Sequence, residues 1–455
     1  MNTNERLASH VVTTTFADLP REVIEIAKKD VFDTLGVAIA ASGEAGGKEL
    51  MEMMGPMGGK PESTIIGYGT KLPVHVAALI NGTTAHSLDY DDVTLSTGHI
   101  GVIIVPTAFA VAEHVGKVSG KELITAIVLG HDVACRLGEA SKPLALGPGW
   151  LYTPLYGIFG AAATAGKLLG LNEEQMANAF GIAYAQAAGN RQSIVDGALS
   201  KRMAAGFANQ AGVLSALAAS YGLTGARDCF EGKFGLFHVY HRGEYKPEAL
   251  TADLGKYFTI TTVSFKHYPS CTATETSIEA TLELMKRYCL TADGVERVVV
   301  HVPEHAVNSC QPLEHKQNPR NEVDAQFSIP WVVATALRKG KVTIEDMSPK
   351  AIQNESVREL ARKVTPLVDM EVSGDIASFP AVVEITTKAG EVYTRREDVP
   401  RGHPDKPLNW EDLFEKFDAC VAKKHLSKQT VSALKEQCCD LEHVEDVRRI
   451  VELLG

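Results

Sequence analysis

Two runs of small residues constrain this chain more than any other feature. Gly157-Ile-Phe-Gly-Ala-Ala-Ala-Thr-Ala-Gly166 and Met203-Ala-Ala-Gly-Phe-Ala-Asn-Gln-Ala-Gly212 carry glycine or alanine at most positions. Such runs let helix backbones approach closely, so they belong in the centre of a bundle. The flanking sequence agrees. Val23, Ala27, Val31, Leu35 and Ala38 form one apolar stripe at helical spacing after Pro20, and Val76, Ile80, Thr84 and Leu88 repeat every four residues after Pro73. Ser119-Gly-Lys-Glu122 and Asn172-Glu-Glu-Gln175 read as capping boxes that open two further helices.

The texture changes after about residue 260. Arg297-Val-Val-Val-His-Val302 and Ala381-Val-Val-Glu-Ile-Thr-Thr387 are β-branched, and Lys388-Ala-Gly-Glu391 joins the latter to Val392-Tyr-Thr394 as a hairpin. Helical patterning returns at Trp410-Glu-Asp-Leu-Phe-Glu-Lys-Phe417. A chain of 455 residues exceeds one ordinary core. The expected fold is therefore mainly α, with a large helical domain built from 1–265 and 405–455 and a smaller α+β domain over 266–404.

Composition narrows the partners. A formal charge of −11 opposes nonspecific binding to nucleic acid or anionic membrane, both of which require a basic surface. An anionic substrate would need a local cluster of Lys, Arg and His to overcome that field. No apolar run reaches bilayer-spanning length and no signal-peptide pattern opens the chain, so a cytoplasmic protein is expected. Its eight cysteines are sparse and form no Cys-x-x-Cys pair, which reads as reduced thiols. Gly43-Glu-Ala-Gly-Gly-Lys-Glu49 only imitates a phosphate loop, and His-Glu-x-x-His is absent. His238 and His241 share a helical spacing, a weak metal signal beside the reading of ordinary surface residues.

The densest ionisable chemistry lies in Ala85-His-Ser-Leu-Asp-Tyr-Asp-Asp-Val-Thr-Leu-Ser-Thr-Gly-His-Ile-Gly101, which begins where a helix is expected to end. Asp89 beside His99 would hold the imidazole in one tautomer, making a general acid or base suited to neutral pH. Helix capping by Asp89, Asp91 and Asp92 is the plainer alternative. A metal held by His86, Asp89, Asp92 and His99 is the sharper rival. Lys201 and Lys266 stand in small or apolar company and are candidates to bind carboxylate or move a proton, against the alternative of snorkelling surface lysines. Cys271 is either a nucleophile or a small buried hydrophobe.

Together these segments resemble the MmgE/PrpD family, which includes 2-methylcitrate dehydratase, cis-aconitate decarboxylase and iminodisuccinate epimerase. The resemblance spans nearly the whole chain. It rests on Ala85-His-Ser-Leu-Asp-Tyr-Asp-Asp92 with Gly98-His99 and Pro106, on Gly160-Ala-Ala-Ala163, Ser200-Lys-Arg202, Phe265-Lys-His-Tyr-Pro-Ser-Cys271, Asp324-Ala-Gln-Phe-Ser328, and Gly402-His-Pro404 before Trp410. It implies a helical domain from both chain ends, an α+β lid, a homodimer, and a pocket between the domains. Residues matching Asp89, His99, Lys201 and Lys266 would line that pocket. The implied chemistry is acid–base work on small di- or tricarboxylates with no obligatory metal or other cofactor. Arg202, His267 and Cys271 stand in the same motifs as substrate-binding candidates.

Departures from the family pattern bear on specificity. Gly149-Trp-Leu-Tyr-Thr153 replaces the family's Gly-Phe-His-Pro-Thr or Gly-Trp-His-Pro-Thr, so Leu151 stands where an active-site histidine is usual; Tyr152 is the candidate substitute proton donor. Lys201-Arg-Met-Ala204 lacks the histidine of Lys-Arg-Leu-His, and Trp331 stands where a pocket tyrosine is common. Each lost contact to a carboxylate would weaken binding by roughly 1.5–3 kcal/mol, so a less charged or partly apolar substrate is expected. The activity expected is a cofactor-independent lyase of a small carboxylic acid. An isomerase or epimerase using the same pocket, or a catalytically silent carboxylate-binding relative, are the alternatives.

Overall fold

A computed structural model of the chain describes residues 1–94, 96–141, 149–372, 378–422, 424 and 426–454; Leu95, within the acidic stretch, lies outside them. The fold is mainly helical, with only small sheets. Its centre is the Ser200–Ser220 helix, packed against Tyr152–Leu168 on one side and Val74–Ala85 on another. The small residues explain the contact. A Cβ at Gly212 would stand 2.4 Å from Ala161 Cβ, and one at Gly206 would stand 2.3 Å from the carbonyl of Leu79. Both expected capping boxes are present, at Ser119 and Asn172.

One large core runs from Leu7 to Phe265 and also takes in Leu408, Leu413, Phe417 and residues as far as Leu454. The Trp410–Val421 helix lies on Arg21–Ala41, where Phe32 and Phe417 stack with ring centroids 4.5 Å apart. A second core, from Tyr268 to Ile385, is built on a four-stranded sheet. Its strands run in the order Val364–Val368, Val295–Val302, Ala381–Thr387, Val392–Glu397; the first pair is parallel and the other two pairs are antiparallel. Alternate residues of Ala381–Thr387 are buried, and the Thr272–Tyr288 helix covers the sheet.

Between the two cores a short antiparallel pairing joins Val93 to Ser264 and Thr94 to Val263. It sets the acidic stretch beside the segment carrying Lys266. The other side of that segment is clamped by Gly402, whose carbonyl accepts from the Phe265 N–H at 3.1 Å. With φ of 101° and the Phe265 carbonyl 1.9 Å from where a Cβ would stand, only glycine fits at 402. Among the described residues no helix is long and apolar enough to cross a membrane.

Candidate active site

The Val74–Ala85 helix ends one residue before His86, and the chain then turns through Asp89, whose φ is 51°. Aspartate tolerates this left-handed conformation better than most residues, because its short polar side chain bonds locally. The turn buries the Asp89 carboxylate, which is 1% exposed. Two ammonium groups meet it there. Lys201, in the first turn of the Ser200–Ser220 helix, pairs with Oδ1. Lys266 lies 2.9 Å from Oδ2 and donates to the Asp89 carbonyl at 2.8 Å. Burial alone would raise the Asp89 carboxyl, but Lys201 and Lys266 overcome it and hold the group well below the usual range. Burial likewise opposes charge on Lys266, yet Asp89 and then Asp91 raise it above an ordinary lysine. Lys266 is thus a cation here, not a base.

His99 is held differently from the expectation. Its Nδ1 lies 2.8 Å from Asp91 Oδ2 and 2.9 Å from the Asp92 carbonyl. The orienting carboxylate is therefore Asp91, because Asp89 is occupied by the two lysines. Asp91 also accepts from His86 Nδ1 at 3.0 Å, and the two imidazole rings stand 4.7 Å apart. Burial would raise Asp91, but His86 and His99 keep it well below the carboxylate range, so it is ionised. Burial, with Lys201 nearby, pulls His86 down to about 4, so it is neutral. Two acceptors on Nδ1 put the proton there and leave His99 Nε2 with a lone pair. That nitrogen has no hydrogen bond among the described residues, and the His99 side chain is 17% exposed.

Tyr152 opens the Tyr152–Leu168 helix, whose next residue, Thr153, accepts the His99 backbone N–H at 3.1 Å. The helix start therefore lies against His99. Tyr152 is partly exposed, and burial raises its phenol above the usual range. Its ring stands 5.2 Å from that of Tyr156, which bonds His241 Nε2 at 2.5 Å and the Ser141 hydroxyl. His241 is thus engaged with Tyr156, while His238 is exposed, and the pair forms no metal site. Leu151 precedes the helix, partly exposed, with its N–H on the Gly189 carbonyl.

The remaining candidates divide. Cys271 stands just before the Thr272–Tyr288 helix; burial, reinforced by Asp89, raises its thiol, so a thiolate nucleophile is disfavoured. Burial and the cations Arg401 and Lys416 bring His267 down to about 4. Arg202 bonds the Ala45 carbonyl at 2.7 Å and Glu322 at 2.8 Å, bridging the two cores. Trp331 is a core residue of the smaller part, 1% exposed, with its Nε1 donating to the Asp346 carbonyl at 3.1 Å. The indole satisfies its donor there, and the substrate-binding role expected of Trp331 is left as a proposal. The metal set also changes. His86, Asp91 and His99 bring ligand atoms within 4.8 Å of one another, whereas Asp89 is bound to lysines and Asp92 accepts from the Gly101 N–H.

Two further candidate residues of the site escaped the sequence reading. One is Asp91. The other is Lys416, on the Trp410–Val421 helix, whose ammonium donates to the carbonyls of Tyr90 and Lys266, each at 2.8 Å, and pairs with Asp33 at 2.7 Å. It also lies 4.0 Å from the Tyr90 ring centre. One cation thereby fixes the backbone next to Asp89 and the backbone of Lys266. A signal existed: Lys416 falls three residues after Leu413 and four before Cys420, on the buried face of its helix.

A buried carboxylate between two lysines, with an oriented imidazole beside it, is a constellation for acid–base chemistry on an anion. Residues 5–248 match the MmgE/PrpD N-terminal domain and residues 268–441 match the MmgE/PrpD C-terminal domain, so the chain belongs to the MmgE/PrpD family. It is similar to cis-aconitate decarboxylase of Mus musculus, with 29% identity over 95% of this chain and 89% of that protein. The human cis-aconitate decarboxylase is also 29% identical, over 96% of this chain and 91% of the relative. The 2-methylcitrate dehydratase of Escherichia coli (strain K12) is 24% identical over 88% of this chain and 86% of its own length.

Proposed function

We propose that this chain is a cofactor-independent lyase, of dehydratase or decarboxylase type, acting on a small carboxylic acid. The observation that carries the reading is the Asp89 carboxylate held between Lys201 and Lys266 beside His99. The lyase names of its relatives support the same reaction class. Lys201 and Lys266 bind the substrate carboxylate and stabilise enolate-like charge, sharing their protons between it and Asp89. His99 Nε2 takes the proton adjacent to that carboxylate and, in dehydration, a hydroxyl leaves as water with a proton from Tyr152. In decarboxylation the C–C bond breaks instead, carbon dioxide leaves, and the carbanion takes the proton of the Tyr152 phenol, which solvent then restores. Independence from metal is supported by Asp91, whose Oδ2 already accepts from both imidazoles.

Incubating candidate di- and tricarboxylates in heavy water tests this reading. A lyase releases water or carbon dioxide; the decarboxylation product carries one solvent deuterium on carbon, whereas the dehydration product, which forms no new C–H bond, carries none. Deuterium exchange with altered stereochemistry and no leaving group would instead mean an epimerase, and saturable binding without exchange a silent relative. Chelation should leave the activity intact. We further infer a cytosolic homodimer. The outer face of the Ser200–Ser220 helix and its end carry Phe207, Leu214 and Tyr221 at seven-residue spacing, 50%, 39% and 86% exposed. Light scattering should give a dimer mass for the wild type and a monomer for Phe207→Glu with Leu214→Glu.

A further inference from the structure

The Tyr152–Leu168 and Ser200–Ser220 helices begin beside the candidate site, and between their first turns lies a cavity of about 240 Å³. Its wall is apolar: Pro154 and Ile158 come from the first helix, and Ala204, Phe207 and Ala208 from the second. Among the described residues no charged side chain lines it, in contrast to the crowded charges around Asp89. A strap holds the cavity in shape. Trp150 and Asn190 form an antiparallel bridge, the Leu151 N–H donates to the Gly189 carbonyl at 3.3 Å, and the Arg191 N–H donates to the Gly149 carbonyl at 2.9 Å. Gly189 has φ of 156°, and a Cβ there would stand 2.6 Å from both the Leu151 carbonyl oxygen and the Pro154 ring. The strap therefore lies flush against the start of the first helix only because residue 189 is glycine.

Both helices tie the cavity to the reacting groups. Ser200 borders it and immediately precedes Lys201, whose ammonium pairs with Asp89. Ala204 and Ala208, three and seven residues further on, stand on the same side of that helix as Lys201. Pro154 immediately follows Thr153, whose hydroxyl accepts the His99 N–H at 3.1 Å. The charged cluster and the uncharged cavity thus share two helix starts.

Resting on the lyase reading above, we propose that this cavity seats an apolar portion of the substrate, so that the site takes a carboxylic acid bearing a short alkyl or similar apolar group. The carboxylate meets Lys201 and Lys266, the apolar group runs along Ala204 and Ala208, and its end rests against Ile158. Each methylene moved from water into such a wall strengthens binding about fourfold. Chain length, up to the depth of the cavity, then sets specificity. Phe207 also stands on the face inferred to pair two copies, and pairing would close the cavity on that side.

The probes are acetate, butyrate, hexanoate and octanoate, with 1-hexanol beside them, titrated calorimetrically into the full-length wild type, Ala204→Phe and Ile158→Ala. Wild-type affinity should rise at least tenfold from acetate to hexanoate, and hexanol should bind at least tenfold more weakly than hexanoate. Ala204→Phe fills the cavity from a partly exposed position, so it should keep the wild-type thermal midpoint. It should bring hexanoate within threefold of acetate while moving acetate less than twofold. Ile158→Ala deepens the cavity and should shift the tightest binding to a longer chain. For any acid the wild type converts, Ala204→Phe should raise KM more for longer chains, with kcat within threefold. Wild-type affinity that ignores chain length, a gain with length that survives in Ala204→Phe, or an unchanged optimum in Ile158→Ala overturns the seat and leaves the lyase reading standing. Hexanol bound as tightly as hexanoate also overturns it, since the cavity would then be cut off from the lysines. Wild-type protein that binds no carboxylate overturns both.

Discussion

His99 and Asp91 form the dyad of this site, with Nδ1 and Oδ2 2.8 Å apart. Asp91 comes two residues after Asp89, yet the two carboxylates serve different partners: one orients imidazoles, the other holds ammonium groups. Asp91→Asn should therefore keep the fold and lose turnover by about 10²–10³-fold, because the amide no longer fixes the Nδ1 tautomer. Binding of an unreactive dicarboxylate, measured by calorimetry, should change little. A kcat close to wild type would remove Asp91 from the mechanism.

The Asp89 cluster predicts a stability pattern. Lys266→Met leaves a buried carboxylate short of a partner and should destabilise by about 3 kcal/mol. Adding Asp89→Asn should recover much of that loss while turnover stays abolished. Denaturant midpoints for the single and double variants check this, and an additive double variant would contradict the coupling.

Lys416 makes a separable prediction. Lys416→Met should cost about 3 kcal/mol, since Asp33 is left buried without its partner. Asp33→Asn in the same chain should restore the stability but not the rate, because the Tyr90 and Lys266 carbonyls still lack their common donor. Recovery of both would make Lys416 purely structural.

Glu275 gives a pH dependence of known sign. It is 2% exposed, accepts the Tyr268 N–H at 3.2 Å, and burial pushes its carboxyl from 4.5 up to about 8. The folded state thus holds a proton that the unfolded state releases. The stabilisation from this group is complete below pH 4.5 and is lost as pH rises through about 8. Glu275→Gln should flatten that loss, so its thermal midpoint should gain on the wild type between pH 5 and pH 8. A difference between the two proteins that stays constant over this range would refute the shift.

Much of the architecture was legible because it follows from local rules. The small residues of Gly157–Gly166 and Met203–Gly212 demand close helix contacts, and the capping boxes at Ser119 and Asn172 mark helix starts wherever the rest of the chain goes. The hairpin at Lys388–Glu391 is equally local. Which aspartate faces which base is not local: it depends on the left-handed turn at Asp89, invisible in the spacing of Asp89, Asp91 and Asp92. The direction of the Trp331 indole is equally hidden, because substitution at a family position says nothing about where the larger ring points. Lys416 sits among charged residues that conceal the one directed inward, and its partners are remote in sequence.

That remoteness bears on how the protein comes to life on the ribosome. The bond from Lys416 to the Tyr90 carbonyl spans 326 positions, and the one to Lys266 spans 150. Closing such long loops is entropically expensive and comes late. The helices around Ser200–Ser220 can pack while synthesis continues, but the two loops bearing Asp89 and Lys266 wait for a clasp translated well after both. A nascent chain stalled before Trp410 would expose a folded body with an unlocked site, so the ability to act on its substrate should arise abruptly, once the helix bearing Lys416 has been made.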